Sequence, residues 1–178
     1  IQRHDARRPL FLDLRYQGVH GPYEEPPVFE QVPNTTANNQ LCGPQYTCQI
    51  MQSMVRAVDS GIANVTAALK ARGMYDNTLI LFLADNGASA ESPNRKGAPP
   101  EPWGSVGTFE SIGQRWANVA NTPLRLWKVS SHEGGINTPM IAHWPVGISE
   151  ESEGSFYRDP CHLIDLLPTW MELAGDKA

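Results

Sequence analysis

The sequence predicts an α/β fold, and two neighbouring stretches together predict it. Met51, Met54, Val55, Val58, Ile62, Val65 and Leu69 recur at the spacing of one helix face. After a short polar turn, Leu79 to Ala84 form an unbroken apolar run that enters Asp85-Asn86-Gly87 directly. Helix, turn and continuous apolar strand make a crossover unit of the kind found in parallel sheets covered by helices.

The helix is expected from about Tyr46 to Arg72, with Gly73 as its C-cap and Asp59 and Lys70 on its wet side. The strand is expected to be buried on both faces. Ligands of open α/β sheets gather outside the carboxyl ends of the strands, and Asp85 and Asn86 sit at such an end. Both side chains offer oxygen, which suits a hard cation, calcium or magnesium, better than zinc. Gly87 lets the chain turn so that both oxygens can face one ion. Asp-Asn-Gly equally suits a plain polar turn. On these residues alone the two alternatives stay open.

The chain has 178 residues, enough for one domain with a real core, and a formal charge of -5. Its basic residues are scattered, which excludes the basic stripe of a nucleic-acid binder. No stretch approaches the roughly 20 apolar residues that span a bilayer. The first residue is Ile1, so the lack of a leader says nothing about compartment. Cys42 and Cys48 flank a short loop and can close a disulfide ring, or all three cysteines, with Cys161, are reduced thiols. Asn34-Thr35-Thr36 and Asn64-Val65-Thr66 fit the N-glycosylation pattern, which leans toward a secretory route.

The remaining elements follow in order. Pro9 to Tyr16 reads as a first strand, interrupted by Asp13 and Arg15, and His20 falls in the Gly/Pro-rich loop after it. Val32 to Tyr46, polar and without period, is expected to be an irregular surface loop. Ala88 to Thr122 has no steady period, and Trp103, Phe109 and Trp116 anchor it as a loop that lines or covers the site. Lys128 and His132 lie just before a strand expected over Pro139 to Pro145. A lysine there is either ordinary surface or a point charge for an oxyanion. Gly134 and Gly135 imply a bend or a close backbone approach. A last helix is expected within Cys161 to Gly175, starting near Asp165 with Pro168 in its first turn. Its inward face would be Leu163, Leu166, Leu167, Trp170 and Leu173. No repeat and no second domain are expected.

Taken in this order, the segments resemble the formylglycine-dependent sulfatases, arylsulfatases above all, within the alkaline-phosphatase-like superfamily. The matching pieces are Pro9-Leu-Phe-Leu with Val19-His20-Gly-Pro, Asn64-Val-Thr-Ala-Ala-Leu-Lys, Asp76-Asn-Thr-Leu-Ile and Asp85-Asn-Gly. They continue through Asn121-Thr-Pro-Leu-Arg with Lys128, Glu133-Gly-Gly, and Asp165-Leu-Leu-Pro-Thr with Leu173-Ala-Gly. The resemblance implies an alkaline-phosphatase-like sandwich, a mostly parallel sheet flanked by helices. Residues 1–178 would form the middle-to-C-terminal part of its catalytic domain. It also implies that Asp85 and Asn86 are metal ligands, for calcium ahead of magnesium. His20 and Lys128 match the catalytic, substrate-binding histidine and lysine that hold the sulfate ester. The substrate would be a small-molecule or carbohydrate sulfate ester, and the compartment lysosomal, extracellular or periplasmic. His132 precedes Glu-Gly-Gly but receives no catalytic role.

One departure from the family pattern bears on activity. The family's nucleophile arises from Cys/Ser-x-Pro-x-Arg, and no cysteine or serine here begins that pattern. The early aspartate pair that completes the calcium site is absent as well. Formylglycine is therefore expected in a missing N-terminal part, and the chain alone is expected to be inactive. The alternatives are a phosphate or phosphonate ester hydrolase of the same superfamily, and an inactive truncated homologue. Leu-Arg-Leu-Trp-Lys128 and Glu133-Gly-Gly favour the sulfatase.

Overall fold

The computed structural model describes residues 1–21, 23–24, 26, 47–91 and 111–176. Helix α1 spans Thr47–Ala71, strand β1 Ile80–Leu83, α2 Gly113–Asn121, α3 Glu133–Ile136, β2 Met140–His143 and α4 Leu166–Leu173. Single 3-10 turns cover Glu150–Ser152 and Leu163–Asp165. Asn34, Cys42, Trp103 and Phe109 lie outside the described residues, as does the side chain of Cys48, and with them the Cys42–Cys48 ring. Cys161 is a free, exposed thiol.

Helix α1 lies within a residue of the expected bounds at each end, and its end is a full Schellman closure. Gly73 takes φ +64°, the Met74 N–H donates to the Leu69 carbonyl, and the Gly73 N–H donates to that of Lys70. Ile50, Met54 and Leu69 are buried, but Val55 faces outward. The buried stripe therefore runs through Ile50, Ser53 and Met54, slightly rotated from the purely apolar one. Gln49 and Ser53 are buried with partners of their own.

β1 and β2 pair antiparallel, with Ile80 opposite His143 and Leu83 opposite Met140. A parallel arrangement is thus not what the two described strands form. The Gly87 N–H donates to the Gly135 carbonyl, so the chain re-enters at the end where β1 stops and must run back alongside it. Burial of β1 on both faces also does not hold among the described residues, since Phe82 is 46% exposed. At the far end of the pair, the Tyr75 hydroxyl meets His143 Nε2 at 3.0 Å, and the Lys70 ammonium lies 4.4 Å from the Tyr75 ring centroid.

Two other expectations are corrected. Pro9 to Tyr16 forms no strand; it packs against α1 and α4, with the Tyr16 ring against Gly61 and Phe11 edge-on to Trp170 at 5.5 Å. No strand pairs with it among the described residues, so its alternation has no ladder to join. The expected loop of Ala88 to Thr122 contains α2, whose Gly start and Asn end resemble loop chemistry while Ala117 is fully buried. Helix α4 carries Pro168 in its first turn as expected; before it, the His162 N–H donates to Asp165 Oδ2 and the Ile164 N–H donates to His162 Nδ1. Its expected apolar face is only half realised: Leu166 and Trp170 are half-buried, while Leu163, Leu167 and Leu173 remain exposed.

The core lies between the start of α1, α2 and the loops beyond β1. Tyr23, Ile50, Met54, Ile112 and Ala117 form its buried centre, with Ala88, Ala90, Trp116 and Trp127 packed around them. Among the described residues no helix is long and apolar enough to cross a membrane.

Candidate functional site

Three chain segments meet beyond the end of β1 because glycine lets their backbones touch. A Cβ on Gly87 would collide with the Gly134 carbonyl, and one on Gly134 with the carbonyls of Leu126 and Arg125. A Cβ on Gly135 would meet the Ser130 carbonyl. Two backbone bonds seal these approaches: Gly87 N–H to the Gly135 carbonyl at 3.1 Å, and Gly134 N–H to that of Arg125 at 2.8 Å. The close approach expected from the paired glycines is present.

Lys128 is fixed to the same end of β1 through its backbone. Its N–H donates to the Ala88 carbonyl at 3.0 Å, and the Ala88 N–H donates to Asn121 Oδ1 at 3.1 Å. Asn121 Nδ2 donates in turn to the Leu126 carbonyl at 2.9 Å. Leu126 and Val129 take φ +64° and +78°, a left-handed backbone that costs an L-residue roughly 1–2 kcal/mol. Lys128 thus sits on a short strained segment that its hydrogen bonds hold in place.

His20 arrives from the other end of the sequence. Its N–H closes a turn onto the Gln17 carbonyl at 3.0 Å, and its ring Nδ1 lies 2.6 Å from the Gly21 carbonyl. A carbonyl only accepts, so Nδ1 carries a proton and Nε2 is the nitrogen left for a second partner. Nε2 faces Lys128 Nζ at 3.4 Å. The two residues stand together because their neighbours share one core: Tyr23, just after His20, and Trp127, next to Lys128, both pack into it. Ala88, just after the Asp85–Asn86 end, joins the same cluster.

Asp85 is exposed and Asn86 half-buried. Neither side chain has a hydrogen bond or ion pair among the described residues. Two unpartnered oxygen donors at a strand end fit a hard cation in kind, though calcium takes about six to eight oxygens. Among the described residues no group of three His, Cys, Asp or Glu side chains gathers as a metal cluster. The two side chains would therefore supply only part of a calcium site, and they are joined to Lys128 through backbone rather than side-chain contact. His132 caps α3 and contributes backbone bonds, its carbonyl to Gly135 N–H and its N–H to Ser130 Oγ.

The residue missed by sequence reading is Asn121. It ends α2, a helix hidden in a stretch that reads as loop, and nothing local marks its side chain as a bridge.

This constellation can be compared with known proteins. The family model described as Sulfatase matches residues 1–176. The chain belongs to the sulfatase family. This sulfatase chain is 34% identical to the arylsulfatase of Klebsiella aerogenes over 145 residues, covering 74% of the chain and 31% of that protein. It is 30% identical to arylsulfatase J of Mus musculus over 175 residues, covering 98% of the chain and 23% of that protein. Among solved structures it resembles that of Ps i-CgsB in complex with k-i-k-neocarrahexaose, with a TM-score of 0.56 and 29% identity. That match covers 83% of this chain and 28% of the other. The sulfatase chain thus spans about a quarter to a third of the length of the curated relatives it matches.

Proposed function

We propose that the protein carrying this chain hydrolyses sulfate esters, with Lys128 and His20 holding the sulfate group. The single observation behind this is the 3.4 Å contact between Lys128 Nζ and His20 Nε2, two basic nitrogens converging beside the end of β1. In the net hydrolysis one water is consumed, an attacking oxygen takes its place on sulfur, and the S–O bond to the alcohol or phenol breaks. The departing oxygen takes a proton, and sulfate is released. The Lys128 ammonium neutralises sulfate oxygens and the charge growing on the leaving oxygen. His20, protonated at Nε2, donates to that same oxygen.

Asp85 and Asn86 would supply two oxygens to a calcium ion, ahead of magnesium, whose chemistry when bound is to draw charge from the sulfate oxygens. The nucleophile, formylglycine in this family, would come from outside residues 1–178, which contain no Cys/Ser-x-Pro-x-Arg. Residues 1–178 would form the middle-to-C-terminal part of an alkaline-phosphatase-like domain, with β1 and β2 belonging to its larger, mostly parallel sheet. The substrate would be an aryl or carbohydrate sulfate; the oligosaccharide bound to the similar solved structure supports the carbohydrate class. A secretory or periplasmic location suits the family, and Asn64, exposed on α1, would be a glycosylation acceptor.

The test is to assay the full-length protein on an aryl sulfate and on the matching aryl phosphate. Sulfate release that disappears in Lys128→Ala supports the proposal. Preference for the phosphate ester, or activity indifferent to Lys128, would overturn it.

A further inference from the structure

We propose that Asn121 is a positioning residue that sets the distance between the Asp85–Asn86 end of β1 and the Lys128 segment. The inference rests on the sulfatase reading of those residues. One planar amide makes both bonds: Oδ1 accepts from Ala88 N–H at 3.1 Å, and Nδ2 donates to the Leu126 carbonyl at 2.9 Å. The network fixes the amide's orientation, because a flipped group would set N–H against N–H and oxygen against oxygen.

These bonds complete a ring. Ala88 gives its N–H to Asn121 and takes the N–H of Lys128 on its carbonyl. Leu126, two residues before Lys128, is held through its own carbonyl. Asn121 therefore ties the strained segment that aims Lys128 at His20, through Leu126, to the chain after β1, through Ala88, without touching either side chain. Alanine here would remove both bonds, and aspartate would keep the acceptor while losing the donor. Glutamine would carry the amide one methylene too far. The site tolerates little slack, since small misplacements of positioned groups cost large factors in rate.

The experiment uses the full-length protein with Asn121→Ala, Asn121→Asp and a control, Thr122→Val. The control strips the Thr122 hydroxyl bond to the Asn118 carbonyl from the same helix end and leaves the bridge alone. Expected is a fall in kcat per folded molecule of about 10- to 100-fold in both Asn121 variants, with the control within about twofold of wild type. A merely structural role would lower the unfolding temperature in all three and leave kcat unchanged. Amide hydrogen exchange supplies a readout independent of activity: Ala88 N–H should be protected in wild type and Asn121→Asp, and released in Asn121→Ala. Unchanged kcat in the Asn121 variants, while Lys128→Ala is inactive, would overturn the proposal and leave the sulfatase reading standing. An inactive wild-type protein would overturn that reading, and Ala88 exchange would still decide the bridge. Should neither variant fold, an Ala88 amide exchanging freely in wild type would overturn the proposal by itself.

Discussion

Lys128 Nζ and His20 Nε2 face each other at 3.4 Å across 108 positions of sequence. With Nδ1 committed to the Gly21 carbonyl, His20 turns Nε2 toward the lysine. Sulfate would replace this contact, taking bonds from both nitrogens. Alanine at either position should reduce kcat/KM of the full-length protein on an aryl sulfate by about 100- to 1000-fold. Because both act on one group, the double variant should lose less than the product of the two. Fully multiplicative losses in steady-state kinetics would show that they act on separate groups.

Calcium should stabilise the full-length protein through Asp85 and Asn86. A ligand at about 100 times its dissociation constant adds about 2.7 kcal/mol to folding stability. Thermal unfolding should therefore shift upward with added calcium in wild type, and less in Asn86→Ala. In Asp85→Ala, which loses a full negative charge, the shift should vanish. An equal calcium shift in wild type and Asp85→Ala would remove Asp85 from the ligand set.

Gly87→Ala is expected to be among the most damaging small changes in the chain. Its methyl would press on the Gly134 carbonyl, a backbone atom with no rotamer to escape into. The cost should be about 1–3 kcal/mol or more, read as a lowered denaturant midpoint. Activity should fall with it, because the same contact seats Lys128 beside β1. A midpoint equal to wild type would mean that the two backbones do not approach this closely.

Tyr23 gives the site core a dependence on alkaline pH. Burial, and then the negative charge of Glu91, push its phenol above the ordinary value of 10.0. Folding thus favours the protonated form. Its contribution is fully present below about pH 10 and is lost as pH rises through the higher folded value. Denaturant titrations at rising pH should show this loss in wild type and a smaller one in Tyr23→Phe. Identical profiles would place the alkaline loss elsewhere.

Local pattern made several elements legible. The stripe from Met51 to Leu69 and the stop at Gly73 marked α1, and the apolar run into Asp85-Asn86 marked β1. Paired glycines announced a close approach, and Pro168 announced the first turn of α4. Helix α2 was hidden because a nine-residue segment with one buried alanine and a tryptophan carries too little period to stand out from a loop.

By itself the sequence determined the helix-turn-strand unit, the oxygen pair at its end, the glycines that admit close contact, and family membership through the order of its motifs. Each of these is written in residues near one another, where side-chain period and backbone freedom act directly. Tertiary structure alone decided that β2 runs antiparallel to β1, that Pro9 to Tyr16 packs on α1 without a strand partner among the described residues, and that His20 meets Lys128. It also decided that Asn121 spans two loops. These are contacts between distant segments, set by which faces share the core around Tyr23, Ala88 and Trp127. No periodicity within one segment encodes the partner it will meet in another.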